Sequence, residues 1–246
     1  MRIEEYTAMF ELEDRLWWFE GMRAITGAIL DRAMRRRGNP RLLDVGCGTG
    51  YSLAWLRERY QSSAAFGVDV SMHAAALWKR RSVDTVAVAS ADSLPFESGK
   101  FDLVTCFDVI YQLDETRAAA AFAEVNRVLT PGGLFFIREP AYEWMRGSHD
   151  IAVATDHRYT LGKLKSDLRQ AGFEIKRGAY ANTLLFGAAA AHRVLSRIRR
   201  SEESDVKPVA SWMNRALASI LKSEAVFLER MSFPFGLSAI VLAAKI

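Results

Sequence analysis

The chain has 246 residues, half of them hydrophobic and a quarter charged, and its 33 basic side chains against 29 acidic ones leave a net charge of +4. So small a basic excess, part of it in local runs (Arg35-Arg36-Arg37; Arg197, Arg199, Arg200), reads as solvated helix ends and argues against a nucleic-acid partner. No apolar run approaches the ~20 residues of a membrane helix, the first residues are acidic (Glu4, Glu5, Glu11, Glu13, Asp14), unlike a secretory leader, and Cys47 and Cys106 lack metal-ligand spacing, so a soluble cytoplasmic protein with free thiols is expected.

Residues 1–37 are helical in pattern and carry the aromatic cluster Trp17-Trp18-Phe19, which either packs on the core, lids a ligand mouth, or does both. Apolar strand candidates then alternate with helical stretches. Strands are expected at 42–45, 64–70, 85–89, 101–107 and 133–138, and helices at about 51–59, 72–81 and 115–129. That alternation predicts parallel strands joined by right-handed helical crossovers. Turn signals punctuate it at Gly38-Asn39-Pro40, Ser98-Gly99-Lys100 and Pro131-Gly132-Gly133. Beyond the fifth strand the pattern predicts a helix over 159–171 closed by Gly172, a strand over 173–180, and helices at roughly 183–200 and 208–231 split by polar residues 201–207. A continuously apolar last strand follows at 236–244.

The first strand runs into Gly46-Cys47-Gly48-Thr49-Gly50, and a glycine turn between a strand and a helix is where open α/β sheets hold nucleotide-like ligands. The turn alone leaves dinucleotides open. Their G-x-G-x-x-G pattern needs a third glycine at position 51, where this chain has Tyr51, and Gly50 falls one residue early. Asp69, after the second strand, suits any ribose. Asp44, two residues before the first glycine, suits a cationic ligand and would repel a pyrophosphate, while Asp92, after the third strand, is placed to accept from an adenine amino group. Three carboxylates at three successive strand ends describe a cationic, adenosine-containing ligand, and the sulfonium and ammonium of S-adenosyl-L-methionine fit that pattern.

The segments Leu42-Leu-Asp-Val-Gly-Cys-Gly-Thr-Gly, Gly67-Val-Asp-Val-Ser, Ala91-Asp-Ser-Leu-Pro-Phe, Phe101-Asp-Leu-Val-Thr-Cys-Phe-Asp-Val-Ile and Glu124-Val-Asn-Arg-Val-Leu-Thr-Pro-Gly-Gly together resemble the class I S-adenosylmethionine-dependent methyltransferases, in particular the methyltransferase type 11 group. The resemblance spans about residues 40–140. It implies a doubly wound, mostly parallel, seven-stranded Rossmann-like sheet with an antiparallel last strand. The chain then divides into an N-terminal helical cap (1–37), a core (38–182), a helical insertion or lid (183–232) and the final strand (233–246). By the same resemblance, Gly46, Cys47, Gly48 and Gly50 cradle the cofactor, Asp69 takes the ribose, and Val70 and Met72 flank an adenine read by Ala91, Asp92 and Ser93. Phe107 and Asp108 lie beside the cofactor, whose spent form is S-adenosyl-L-homocysteine. Where many relatives read V-L-E-H-I/L, this chain has Val109-Ile-Tyr-Gln-Leu-Asp, so Gln112 replaces a histidine and Tyr111 is the residue left to line the site.

A second resemblance, to one bacterial subgroup, rests on Trp17-Trp18-Phe19-x-x-x-Arg23, His149-Asp150, His157-Arg-Tyr-Thr and Phe235-Gly-Leu-Ser. It implies that Arg23 reaches the cofactor's carboxylate with Trp17 closing over it. His149 and His157 are the candidate general bases, needed where an acceptor must lose a proton. Their neighbours Asp150 and Asp156 make a metal site imaginable, but exposed loop residues are the plainer reading, and no metal is expected. The insertion, apolar on one face and basic at Arg193, Arg197, Arg199 and Arg200, is read either as a dimer surface or as a lid lined by Phe186, Trp212 and Phe227. Such a lid suits a hydrophobic or anionic small molecule. The alternative to an enzyme is a methyltransferase-like protein that binds the cofactor and transfers nothing.

Overall fold

The computed structural model describes residues 3–81, 83–147, 150, 155–199 and 209–246. Two helices, α1 (Ile3–Leu12) and α2 (Trp17–Met34), precede the first strand, β1 (Arg41–Val45). There follow α3 (Tyr51–Arg59), β2 (Ala64–Asp69), α4 (Met72–Trp78), β3 (Val86–Val88), β4 (Phe101–Phe107), α5 (Glu115–Val128) and β5 (Leu129–Pro140). The remaining elements are α6 (Leu161–Gln170), β6 (Phe173–Ala181), α7 (Phe186–Arg199), α8 (Ser211–Leu228) and β7 (Ser238–Lys245). The seven strands form one sheet in the order β3-β2-β1-β4-β5-β7-β6. The first five are parallel, and β7 runs antiparallel between β5 and β6.

Near-continuous apolar runs suit strands covered on both faces, and the pleat sends neighbours to opposite sides. Leu43 and Phe135 join Phe122, Tyr159 and Phe173 under α5 and α6. Leu42 and Phe136 join Leu30, Leu53 and Leu228 under α2, α3 and α8. Each such side chain contributes roughly 1.5–3 kcal/mol by leaving water. Polar side chains start the helices: Ser71 accepts from the amides of His73 and Ala74, Asp114 from Arg117 and Thr160 from Lys163. Gly172, at φ +84°, ends α6 in the left-handed conformation expected of a closing glycine.

Several expected boundaries shift. β5 begins at Leu129, pairs with Phe101, and carries Pro131-Gly132-Gly133 through a register shift before pairing Leu134 with Leu103. The helix expected from residue 159 starts at Leu161 because Tyr159 is buried and bridges Ala141, leaving Thr160 as the cap. The stretch 72–81 is α-helical only to Trp78 and closes in a 3₁₀ turn. No helix among the described residues is long and apolar enough to cross a membrane.

Candidate functional site

The carboxyl ends of the parallel strands open into a cavity of about 1300 Å³. Sites for a single small ligand usually enclose ~300–1,000 Å³, so this one has room for two molecules side by side. One end lies at β1, β2 and β3. There Gly46 takes φ +72° and packs so closely that a Cβ would overlap Val109, while Gly48 takes φ +53° with open space and Met9 at 3.8 Å from where a Cβ would stand. A side chain at Gly48 would fill the cavity, and the turn is therefore a cradle. Gly50, at φ +86°, starts α3 against Trp78 and Val83, away from the cavity wall. Tyr51 opens α3 where a dinucleotide site needs glycine, and its ring lies between the guanidiniums of Arg23 and Arg81 at 4.7 and 4.8 Å.

The carboxylates at this end differ in environment. Asp69 accepts from the Gly48 amide (2.9 Å), the Ser71 amide (2.9 Å) and the Tyr6 hydroxyl (3.1 Å). Asp44 is buried at the cavity floor, accepts from Thr105 Oγ1 at 2.6 Å, and is pushed up to about 7 by burial. Val70 and Ala91 line the wall, as do Cys47, Trp17 and Arg23. Asp92, Ser93 and Met72 do not. Asp92 is turned to Arg117 Nε at 2.6 Å, which holds its carboxyl below the usual range, and Arg117 is the member of that pair on the wall. Arg23 donates to the carbonyls of Glu13 (2.6 Å) and Asp14 (3.3 Å), and so braces the α1–α2 connection while its side chain borders the cavity.

At the other end, Asp108 follows β4 in the left-handed region at φ +57°, a cost of order 1 kcal/mol for a non-glycine residue. Arg138 holds it there. The guanidinium binds the Asp108 carboxylate through Nε (3.1 Å) and Nη2 and lies between the rings of Trp18 and Phe107, at 4.9 and 5.0 Å. Glu139, the next residue of β5, is fully buried and accepts from the amides of Ile110 (3.0 Å) and Tyr111 (3.2 Å), and burial and Asp108 push it up to about 8. It thereby fixes the turn that presents Tyr111 to the cavity. Burial also pushes the Tyr111 hydroxyl well above the ordinary phenol range, so at neutral pH it is a hydrogen-bond donor and not a base. Beyond it Arg158 grips buried Asp150 through two bonds, at 2.7 and 3.0 Å.

The histidines are placed differently from the sequence expectation. His157 binds Asp156 Oδ2 at 3.0 Å, leans on Tyr159 and lies off the cavity wall. His149 lies outside the described residues, and the wall instead carries His192, on α7. Among the described residues no three His, Cys, Asp or Glu side chains gather as a metal site. Residues of the insertion line the cavity, but not the ones expected. Trp212 and Phe227 face outward, 65% and 52% exposed, and Phe186 packs edge-on against Tyr142 and Trp144 and tilted against Phe235. The lining comes from Ala189, His192, Arg193, Met213 and Leu217. Tyr6, Arg138 and Arg158 escaped sequence reasoning. The signal for Arg138 was there, a charged residue at the carboxyl end of an apolar strand.

Residues 43–137 match the family model of a methyltransferase domain. The chain is 34% identical over 150 residues to a malonyl-[acyl-carrier protein] O-methyltransferase of Geobacter sulfurreducens, a match covering 54% of this chain and 55% of that protein. Matches to the first curated relatives span about half of their length. A S-adenosylmethionine-dependent methyltransferase from Thermotoga maritima superposes with a TM-score of 0.63 at 19% identity, covering 99% of this chain and 96% of that one. Phosphoethanolamine N-methyltransferase 2 of Haemonchus contortus, solved with S-adenosyl-L-methionine, superposes with a TM-score of 0.58 at 22% identity, covering 89% of this chain and 51% of that one.

Proposed function

We propose, from the match of residues 43–137 to the methyltransferase-domain model, that the chain is a class I S-adenosylmethionine-dependent methyltransferase and that it methylates a small, largely apolar organic acceptor seated beside the ends of β4, β5 and β6. The observation that carries this reading is one continuous cavity, with the glycine cradle and Asp69 at one end and Tyr111, Arg138 and Arg158 at the other. The residues fit the cofactor: Asp69 is the acceptor for ribose hydroxyls, Asp44 is a counter-charge for its cationic groups, Gly48 leaves room for it, and Val70 and Ala91 offer apolar flanks. Bound there, S-adenosyl-L-methionine supplies a methyl group already activated on a sulfonium. The protein then contributes alignment and dryness more than acid–base help. Trp17, Trp18 and Leu217, all on the cavity wall, help exclude water. Two ion pairs there, Asp108 with Arg138 and Asp150 with Arg158, are each neutral overall, which supports an acceptor without a large net charge. Tyr111 donates a hydrogen bond to orient its nucleophilic end, and His192 is the imidazole placed to take a proton.

The test is release of S-adenosyl-L-homocysteine across a panel of apolar phenols, alcohols and amines, with carboxylates and malonyl thioesters as a separate arm. The reading expects turnover in the first arm, and a Leu217→Ala variant whose acceptor KM rises several-fold while cofactor affinity holds. Turnover confined to the carboxylates would replace the apolar acceptor with an anionic one. Cofactor binding without turnover in either arm would leave a non-catalytic binder.

A further inference from the structure

Asp69 is already satisfied by the protein itself. Its Oδ1 accepts from both the Tyr6 hydroxyl, at 3.1 Å, and the Ser71 amide, at 2.9 Å, while Oδ2 accepts from the Gly48 amide, at 2.9 Å. Both lone-pair sites of Oδ1 are therefore used, and one remains on Oδ2. A ribose diol held across a carboxylate needs a site on each oxygen. The two amides belong to the turns that build the cradle and cannot leave without unfolding it. The Tyr6 hydroxyl can. Tyr6 lies on α1 and borders the cavity, and its helix is fastened to the core at the opposite end: Phe10 packs against the guanidiniums of Arg80 and Arg81 at 4.3 Å each, and Glu13 binds Thr49 Oγ1 and Arg81 Nη2.

We propose that Tyr6 is a placeholder for one ribose hydroxyl of the cofactor, occupying Asp69 Oδ1 in the empty protein and giving that oxygen up when S-adenosyl-L-methionine or its product binds. The exchange follows from the chemistry of a buried carboxylate, which is costly to leave short of donors. In the empty protein the phenol supplies the donor that the ribose supplies in the complex. Burial and Asp69 together push the phenol above its ordinary range, so it remains a donor at neutral pH. Because the bond must be broken before the ribose can dock, it subtracts from cofactor affinity.

The test is Tyr6→Phe, which keeps the ring and removes only the hydroxyl. Titration calorimetry with S-adenosyl-L-homocysteine reads affinity without turnover, and stopped-flow fluorescence of the tryptophans beside the cavity reads the association rate. The variant is expected to bind about three- to tenfold tighter than the wild-type chain, the worth of one displaced hydrogen bond, and to associate faster. Its ligand-free melting temperature should fall while the rise on adding ligand grows. Equal affinity would mean that the phenol does not compete, and weaker binding would mean that it stays and supports the cofactor; either overturns the proposal. Failure of the wild-type chain to bind at all would overturn the cofactor assignment itself, and the placeholder with it.

Discussion

Burial that lifts the Asp44 carboxyl to about 7 makes the charge of the cradle floor a function of pH. Below that value the group is mostly protonated and offers a cationic ligand nothing. Above it the carboxylate is formed, and a neighbouring cation favours it further, so ligand binding releases a proton. Affinity for S-adenosyl-L-methionine should therefore rise with pH, by up to about tenfold between about pH 6 and about pH 8, and Asp44→Asn should flatten the profile. Titration across that range checks it; a flat wild-type profile would remove Asp44 from the cofactor's electrostatics. At this scale Asp44, Gly46, Gly48 and Asp69 were legible because each belongs to a local strand-to-turn pattern. The bonds of Tyr6 to Asp69 and of Arg138 to Asp108 join residues 63 and 30 positions apart, and no local pattern specifies them. Asp92 shows the same limit. Its position after a strand was readable, but the claim of Arg117 on it was not.

Where α2 crosses α8, Gly21 allows the helices to touch: a Cβ there would fall 2.5 Å from Leu221 Cδ1 and overlap Leu221 Cβ. Asn214 fastens the same pair, accepting from the Trp17 amide and donating to the Arg15 carbonyl at 2.8 Å each. Gly21→Ala should cost about 1–3 kcal/mol through overpacking, and Leu221→Ala about 2–5 kcal/mol through the cavity it leaves. Combining them removes the contact with Leu221 Cδ1 but keeps the overlap with its Cβ, so the overpacking cost should persist in the double variant. Urea midpoints for the two single variants and the double variant measure this; a double variant as stable as Leu221→Ala alone would show that the helices do not meet as described. Periodicity predicted these helices but not the direction each face turns. That is why Trp212 and Phe227, taken for lining, point outward, while half-buried Leu217 and the more exposed Met213 border the cavity. The order and type of the core elements were readable from alternating apolar runs and turn residues, and the shifts at 129 and 161 arise from pairing and burial that only the folded chain reveals.

The whole molecule uses its sheet as a floor and two segments far apart in sequence as walls. The N-terminal helices and the insertion before the last strand meet over the carboxyl edge, where α2 and α8 pack together and Lys222 pairs with Glu20 at 2.7 Å. The cavity is thus a product of tertiary assembly, and its size and the identity of its acceptor end were not legible in advance. The glycine turn and the carboxylates at the strand ends were, because each sits in a local strand-to-turn pattern. The claim on which everything else rests is that this edge holds S-adenosyl-L-methionine through Asp69. Calorimetric titration of the cofactor into the wild-type chain and into folded Asp69→Ala tests it directly: one molecule should bind per wild-type chain, with affinity falling by about 100-fold in the variant as two hydrogen bonds to a charged group are lost, whereas equal binding to both, or none to the wild-type chain, would contradict it.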